Sequence, residues 1–105
     1  MKILTRQEEL VLLSIYQLQG NSCLAVVRDF LIENTGKEWS VSSVFVPMDR
    51  LTREGYLKEE IKPTTSKRGG RPTKYYVVTE EGLNALTKLK ELNATMWKGL
   101  EGLAT

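Results

Sequence analysis

The sequence predicts a mostly α fold with one small β-hairpin, in the order helix, helix, helix, hairpin, helix. Three observations carry that prediction. Apolar residues recur at helical spacing up to about Glu54 and again after Thr79. Between these blocks the period changes: Leu57, Glu59 and Ile61 alternate with Lys58, Glu60 and Lys62, the pattern of a strand. A turn-rich stretch with Gly69, Gly70 and Pro72 then leads into Tyr75-Tyr76-Val77-Val78, a β-rich return strand.

Each element has its own signals. Thr5-Arg6-Gln7-Glu8 fits a capping box, in which the Thr5 and Glu8 side chains each serve the other's backbone N–H. The helix it opens should reach about Leu18. Its apolar residues, Leu10 to Leu13, Ile15, Tyr16 and Leu18, run nearly all the way round, as in a helix packed between other elements. Gln19-Gly20-Asn21-Ser22 breaks it. A second helix is expected from about Ser22 to Asn34, with Leu24, Val27 and Leu31 on one stripe and Gly36 just past its end.

Ser40 is a good N-cap for a third helix reaching about Glu54. Val41, Val44, Met48 and Leu51 share one face; Ser42, Ser43, Val46, Asp49, Arg50 and Arg53 share the other. Pro47 removes an interior backbone bond, so a bend or an irregular first turn is expected there. Gly55 ends the helix. Thr79-Glu80-Glu81-Gly82 opens the fourth, with acids at its N-terminus. Along it Leu83, Leu86, Leu89, Leu92, Met96, Leu100 and Leu103 recur at spacings of three and four.

Composition narrows the function. The 105 residues suit one domain, and no apolar run approaches the roughly 18 residues of a membrane span. The first residues lack the apolar core of a signal peptide, and Cys23 is the lone cysteine; both fit a cytoplasmic protein. With no histidine, the commonest general base and metal ligand are missing. Neither a metal site, a cofactor, a phosphate-cradling glycine loop nor catalysis is expected.

Charge is concentrated. Between Ile61 and Thr79 the chain carries Lys62, Lys67, Arg68, Arg71 and Lys74 and no acid, while the other 10 basic residues face 13 acids. A compact cationic segment is what phosphate neutralisation requires; a solvated loop is the plain alternative.

Three helices followed by a hairpin with a basic tip is the layout of a winged helix-turn-helix. In that layout the third helix enters the major groove and the hairpin reaches neighbouring phosphates. The candidate DNA-binding residues are Ser42, Ser43, Phe45, Val46, Arg50 and Arg53 on the helix, and Lys67, Arg68, Arg71 and Lys74 on the wing. Asp49 sets a negative charge on the same side, four residues before Arg53, as a favourable helical pair or as an acceptor for a cytosine amine.

Three stretches resemble the PadR-like winged-helix regulators of bacteria. They are residues 35–51 (Thr-Gly-Lys-Glu-Trp-Ser leading into Val-Ser-Ser-Val-Phe-Val-Pro-Met-Asp-Arg-Leu), Glu54-Gly55-Tyr56-Leu57, and residues 68–82. The wing pattern of Gly70-Arg71, Lys74-Tyr75-Tyr76 and Thr79-x-x-Gly82 is the most specific part. Phe45 stands where the family usually has a tyrosine. The resemblance implies a transcriptional regulator, expected to be a repressor, that binds a palindromic operator in double-stranded DNA as a homodimer.

The last helix suggests how the copies would meet. Residues 1–79 form the expected winged-helix DNA-binding domain and residues 80–105 the dimerisation helix, with Leu86, Leu89, Met96, Trp97 and Leu100 as contacts. The alternative is a helix folded back on its own domain. In some short PadR-like proteins a tryptophan here lines a cavity for flat aromatic effectors. Met96 and Trp97 are therefore candidate contacts for a small hydrophobic or aromatic ligand, or simply dimer core. Trp39 reads as a wedge between helices two and three. The rival reading of the whole chain is a winged helix used only for protein contact.

Overall fold

The computed structural model describes residues 3–62, 72–100 and 102. Among them are α1 (Arg6–Leu18), α2 (Leu24–Thr35), α3 (Val41–Arg53), β1 (Leu57–Lys62), β2 (Thr73–Val78) and α4 (Glu80–Met96), the expected winged-helix order.

The capping box at the start of α1 is present: Thr5 Oγ1 accepts from the Glu8 N–H at 3.1 Å, and the Thr5 N–H donates to Glu8 Oε1 at 2.8 Å. α2 begins at Leu24, later than the spacing suggested. Ser22 serves another purpose: it is fully buried, and its carbonyl accepts from the Tyr76 N–H at 3.2 Å. That bond ties β2 to the turn between α1 and α2. Gly36 takes the left-handed conformation, φ 70°, that closes α2.

Ser40 caps α3 by accepting from the Ser43 N–H at 3.1 Å. The helix then runs without a break through Pro47, which is buried; no irregular first turn interrupts it. The missing N–H deprives the Ser43 carbonyl of its usual helical partner. One expectation is corrected. Val44, Met48 and Leu51 are fully buried, but Val41, assigned to the same stripe, is 56% exposed. At the first position of α3 it faces a groove shared with α2 and β2 instead of the core.

β1 and β2 pair antiparallel from Leu57 opposite Val78 to Lys62 opposite Thr73. Leu57 and Tyr76 point from one face of this hairpin into the core. There they meet Val11, Leu12 and Ile15 of α1, Val27 and Leu31 of α2, and the inner stripe of α3. Each such side chain contributes about 1.5–3 kcal/mol on burial. Trp39 is the expected wedge: it is buried, its indole N–H donates to Thr35 Oγ1 at 3.0 Å, and its carbonyl accepts from Arg28 Nε at 2.6 Å.

Thr79 fastens α4 to the rest. Its hydroxyl accepts from the Gly82 N–H at 3.1 Å and donates to the Gly55 carbonyl at 2.6 Å, while its N–H donates to the Tyr56 carbonyl at 3.1 Å. Gly82 lies so close to that carbonyl that a Cβ would come within 2.3 Å of it. α4 then divides. Leu89 is buried in the core with Leu86 packed against it, whereas Leu83 and Met96 are exposed; the helix ends at Met96, so Trp97 and Leu100, expected on it, lie past its end and are exposed as well. No helix among the described residues is long and apolar enough to cross a membrane.

Candidate nucleic-acid interface

The outer side of α3 presents Ser42, Phe45 and Val46 to solvent, with Ser43 half-buried beside them. The serines are partly engaged: Ser43 Oγ donates to the Ser40 carbonyl at 2.8 Å, and Ser42 Oγ lies 3.3 Å from Ser40 Oγ. Both keep lone pairs, and a hydroxyl can turn to donate elsewhere.

The predicted cations among the described residues, Arg50, Arg53 and Lys74, have acidic neighbours. Arg53 Nε meets Asp49 Oδ2 at 3.1 Å, the helical pair the spacing suggested. Lys74 Nζ stands 4.0 Å from Glu59 Oε2 across the hairpin. Exposed pairs of this kind are worth only about 0–1 kcal/mol, so a phosphate can take either cation from its acid.

Arg50 is held differently. Its guanidinium faces Glu8 Oε2 at 3.8 Å, and the Glu8 side chain is almost wholly buried. Glu8 Oε1 is occupied by the Thr5 N–H, while Oε2 has no hydrogen-bond partner. A buried carboxylate without its counter-charge is costly, so this pair resists separation more than the exposed ones do. Glu8 is therefore part of the site's electrostatics. In the sequence it showed only as half of a capping box, because its neighbour Arg50 is distant in the chain.

A second partnership was also hidden. The Lys62 ammonium lies 4.7 Å from the centre of the Tyr75 ring and donates to the Gly20 carbonyl at 3.4 Å. It braces the outer end of the hairpin against the α1–α2 turn. Burial, then the nearby charges of Glu59 and Asp49, push the Tyr76 hydroxyl above its ordinary value of 10.0.

Two concavities collect the predicted residues. Val41 and Phe45 of α3 line one groove together with Thr73, Lys74 and Tyr76 of β2 and the first turn of α2. Ser42, Ser43, Val46 and Arg50 line a second, shallower hollow against Thr5, Gln7 and Glu8. Of the predicted helix residues, Phe45 thus shares a groove with the wing strand, while Ser42, Ser43, Val46 and Arg50 line the hollow against the start of α1. Lys67, Arg68 and Arg71 lie outside the described residues. Met96, Trp97 and Leu100 are exposed at the far end of α4, and a separate groove of about 710 Å³ runs between α1 and α4 past Leu13, Tyr16, Leu83 and Leu86.

No protein-family model matches the chain, and neither does any curated protein sequence. Solved structures do. A PadR-like transcriptional regulator from Bacillus cereus superposes with a TM-score of 0.74 at 21% identity, over 91% of this chain and 88% of that one. A PadR family transcriptional regulator from Eggerthella lenta gives 0.71 at 26% identity, over 93% and 83%. RosR of H. salinarum gives 0.73 at 19% identity, over 93% and 81%. Over most of its length the chain has the fold of the PadR-like winged-helix transcription regulators.

Proposed function

We propose that the protein is a transcription regulator that binds double-stranded DNA as a homodimer and acts as a repressor. α3 enters the major groove; the hairpin, with Lys74 and the basic run Lys67, Arg68 and Arg71, meets the adjoining phosphates. The observation that carries this reading is the groove that Val41 and Phe45 share with Thr73 and Lys74. It brings Val41 and Phe45 alongside Lys74 of β2, which supports a reading in which one duplex touches both elements.

A single domain of this size makes few base contacts, and specificity is gained by pairing two half-sites about 34–36 Å apart. Exposed Leu83, Met96, Trp97 and Leu100, with Leu13 and Tyr16 of α1, offer apolar surface for that pairing. Leu86 and Leu89 support it from beneath. Residues 1–79 then act as the DNA-binding unit and residues 80–105, which begin with α4, as the dimerisation segment. Met96 and Trp97 are well placed for a flat aromatic effector once two copies meet; quenching of Trp97 fluorescence by planar dyes tests this, and no quenching at high dye rejects it.

Selection of bound duplexes from a random library tests the main reading. An inverted repeat should emerge, with affinity falling steeply as salt rises. Arg68→Ala and Arg71→Ala should each lower the salt slope by about 0.9. Weak binding without sequence preference would instead favour a protein-contact module.

A further inference from the structure

The outer face of α3 is unusual in what it offers a base pair. Over its first two turns the exposed side chains are Val41, Ser42, Phe45 and Val46. Val41 is 56%, Phe45 43% and Val46 51% exposed, although nothing in the chain's own packing requires apolar groups there. Among these residues there is no arginine, lysine, asparagine or glutamine, the side chains that form paired hydrogen bonds with guanine or adenine edges. Of the nearest cations, Arg50 faces buried Glu8, and Arg53 stands in the last turn, beyond these side chains and in an exposed pair with Asp49.

In the major groove one base carries an apolar group at its edge, the 5-methyl of thymine. We infer that Phe45 and Val46, with Val41 beside them, read operator sequence chiefly through thymine methyl groups. Ser42 and Ser43 allow close approach and add generic hydroxyl contacts. The inference rests on the DNA-binding reading above and supplies its specificity. The flanking charge fits this occupant: Lys74 borders the same groove as Val41 and Phe45, and the basic segment from Lys62 to Lys74 contains no acid. Apolar tips with a cation at their border suit a surface of methyl groups bordered by phosphates. A protein partner would have to match the same combination of apolar tips and bordering cation.

The test uses the full chain and a duplex recovered by selection from random sequence. That duplex is resynthesised with deoxyuridine replacing thymidine one position at a time, which removes a single methyl and leaves base pairing unchanged. Affinities are measured by fluorescence anisotropy. At two or more positions in each half-site the loss should be about three- to fourfold, the value of one buried methyl. Val46→Ala and Phe45→Ala alter exposed side chains, so folding should survive, as circular dichroism will verify. Each variant should bind thymidine and deoxyuridine duplexes equally at the position its side chain served. Tight binding that is indifferent to every methyl, or selected half-sites without thymine, overturns the methyl-reading inference and leaves the regulator reading intact. Failure to enrich any duplex, with no salt-dependent binding, overturns both.

Discussion

Gly82→Ala sets two effects of opposite sign against each other. Alanine favours a helix over glycine by up to about 1 kcal/mol, and position 82 lies in the first turn of α4, so propensity alone calls for stabilisation. The packing predicts the reverse. A Cβ at Gly82 would stand 2.3 Å from the Tyr56 carbonyl oxygen and 2.7 Å from Val78 Cγ1. Reaching an ordinary contact of 3.4 Å asks for roughly 1 Å of backbone movement in an interior packed at crystal density. Neither side is free to give it. Tyr56 donates its N–H to the Leu51 carbonyl at 2.9 Å and accepts from Thr79 at 3.1 Å, while Thr79 holds Gly55 at 2.6 Å. Overpacking costs about 1–3 kcal/mol, and two contacts this close against held backbone call for the upper end, leaving a net loss of about 2 kcal/mol after the propensity gain. For a domain near 100 residues that lowers Tm by about 8–16 °C. Thermal melts followed by circular dichroism at fixed protein concentration read this directly. An unchanged or higher Tm for the alanine variant would refute the argument that Gly82 is required by close approach.

Three further outcomes are expected. Thr79→Ala removes the α4 cap and the link to Gly55 together and should cost about 1–2 kcal/mol in urea unfolding; a loss of only a few tenths would show the link to be idle. Glu8→Gln keeps an oxygen for the Thr5 N–H but releases Arg50 from its buried counter-charge, so the salt slope of duplex binding should steepen by up to about 0.9; an unaltered slope would mean that Arg50 cannot reach a phosphate. Tyr76 binds its proton more tightly folded than unfolded, so its contribution is complete below pH 10.0 and declines as pH rises through the raised folded value. Urea midpoints of Tyr76→Phe should therefore fall less than those of the unaltered protein as pH is raised across that range, and parallel curves would count against the assignment.

Local signals announced most of the fold. Thr5 with Glu8, Ser40, Gly36 and Thr79 act on neighbours within a few residues, so their roles follow from short-range chemistry and were readable in advance. The same holds for the Asp49–Arg53 pair, one helical turn apart. Readings that depended on which element lies alongside fared less well. Val41 has the spacing of a core residue, but the inner surface does not extend to the first turn of α3. The α2 boundary shifted because the Ser22 carbonyl was claimed by β2, over fifty residues away.

By itself, then, the sequence determined the element order through its apolar spacing, the caps through Thr5, Ser40 and Gly36, and the concentration of positive charge from Lys62 to Lys74. Those properties arise from backbone geometry repeated every few residues. Only the tertiary structure decided which cations remain available, because the partners of Arg50, Lys62 and Lys74 come from distant segments. It also decided which part of α4 is buried and which is left outward. Electrostatic and packing partners are chosen by distance in space, and a linear sequence carries no direct measure of that distance.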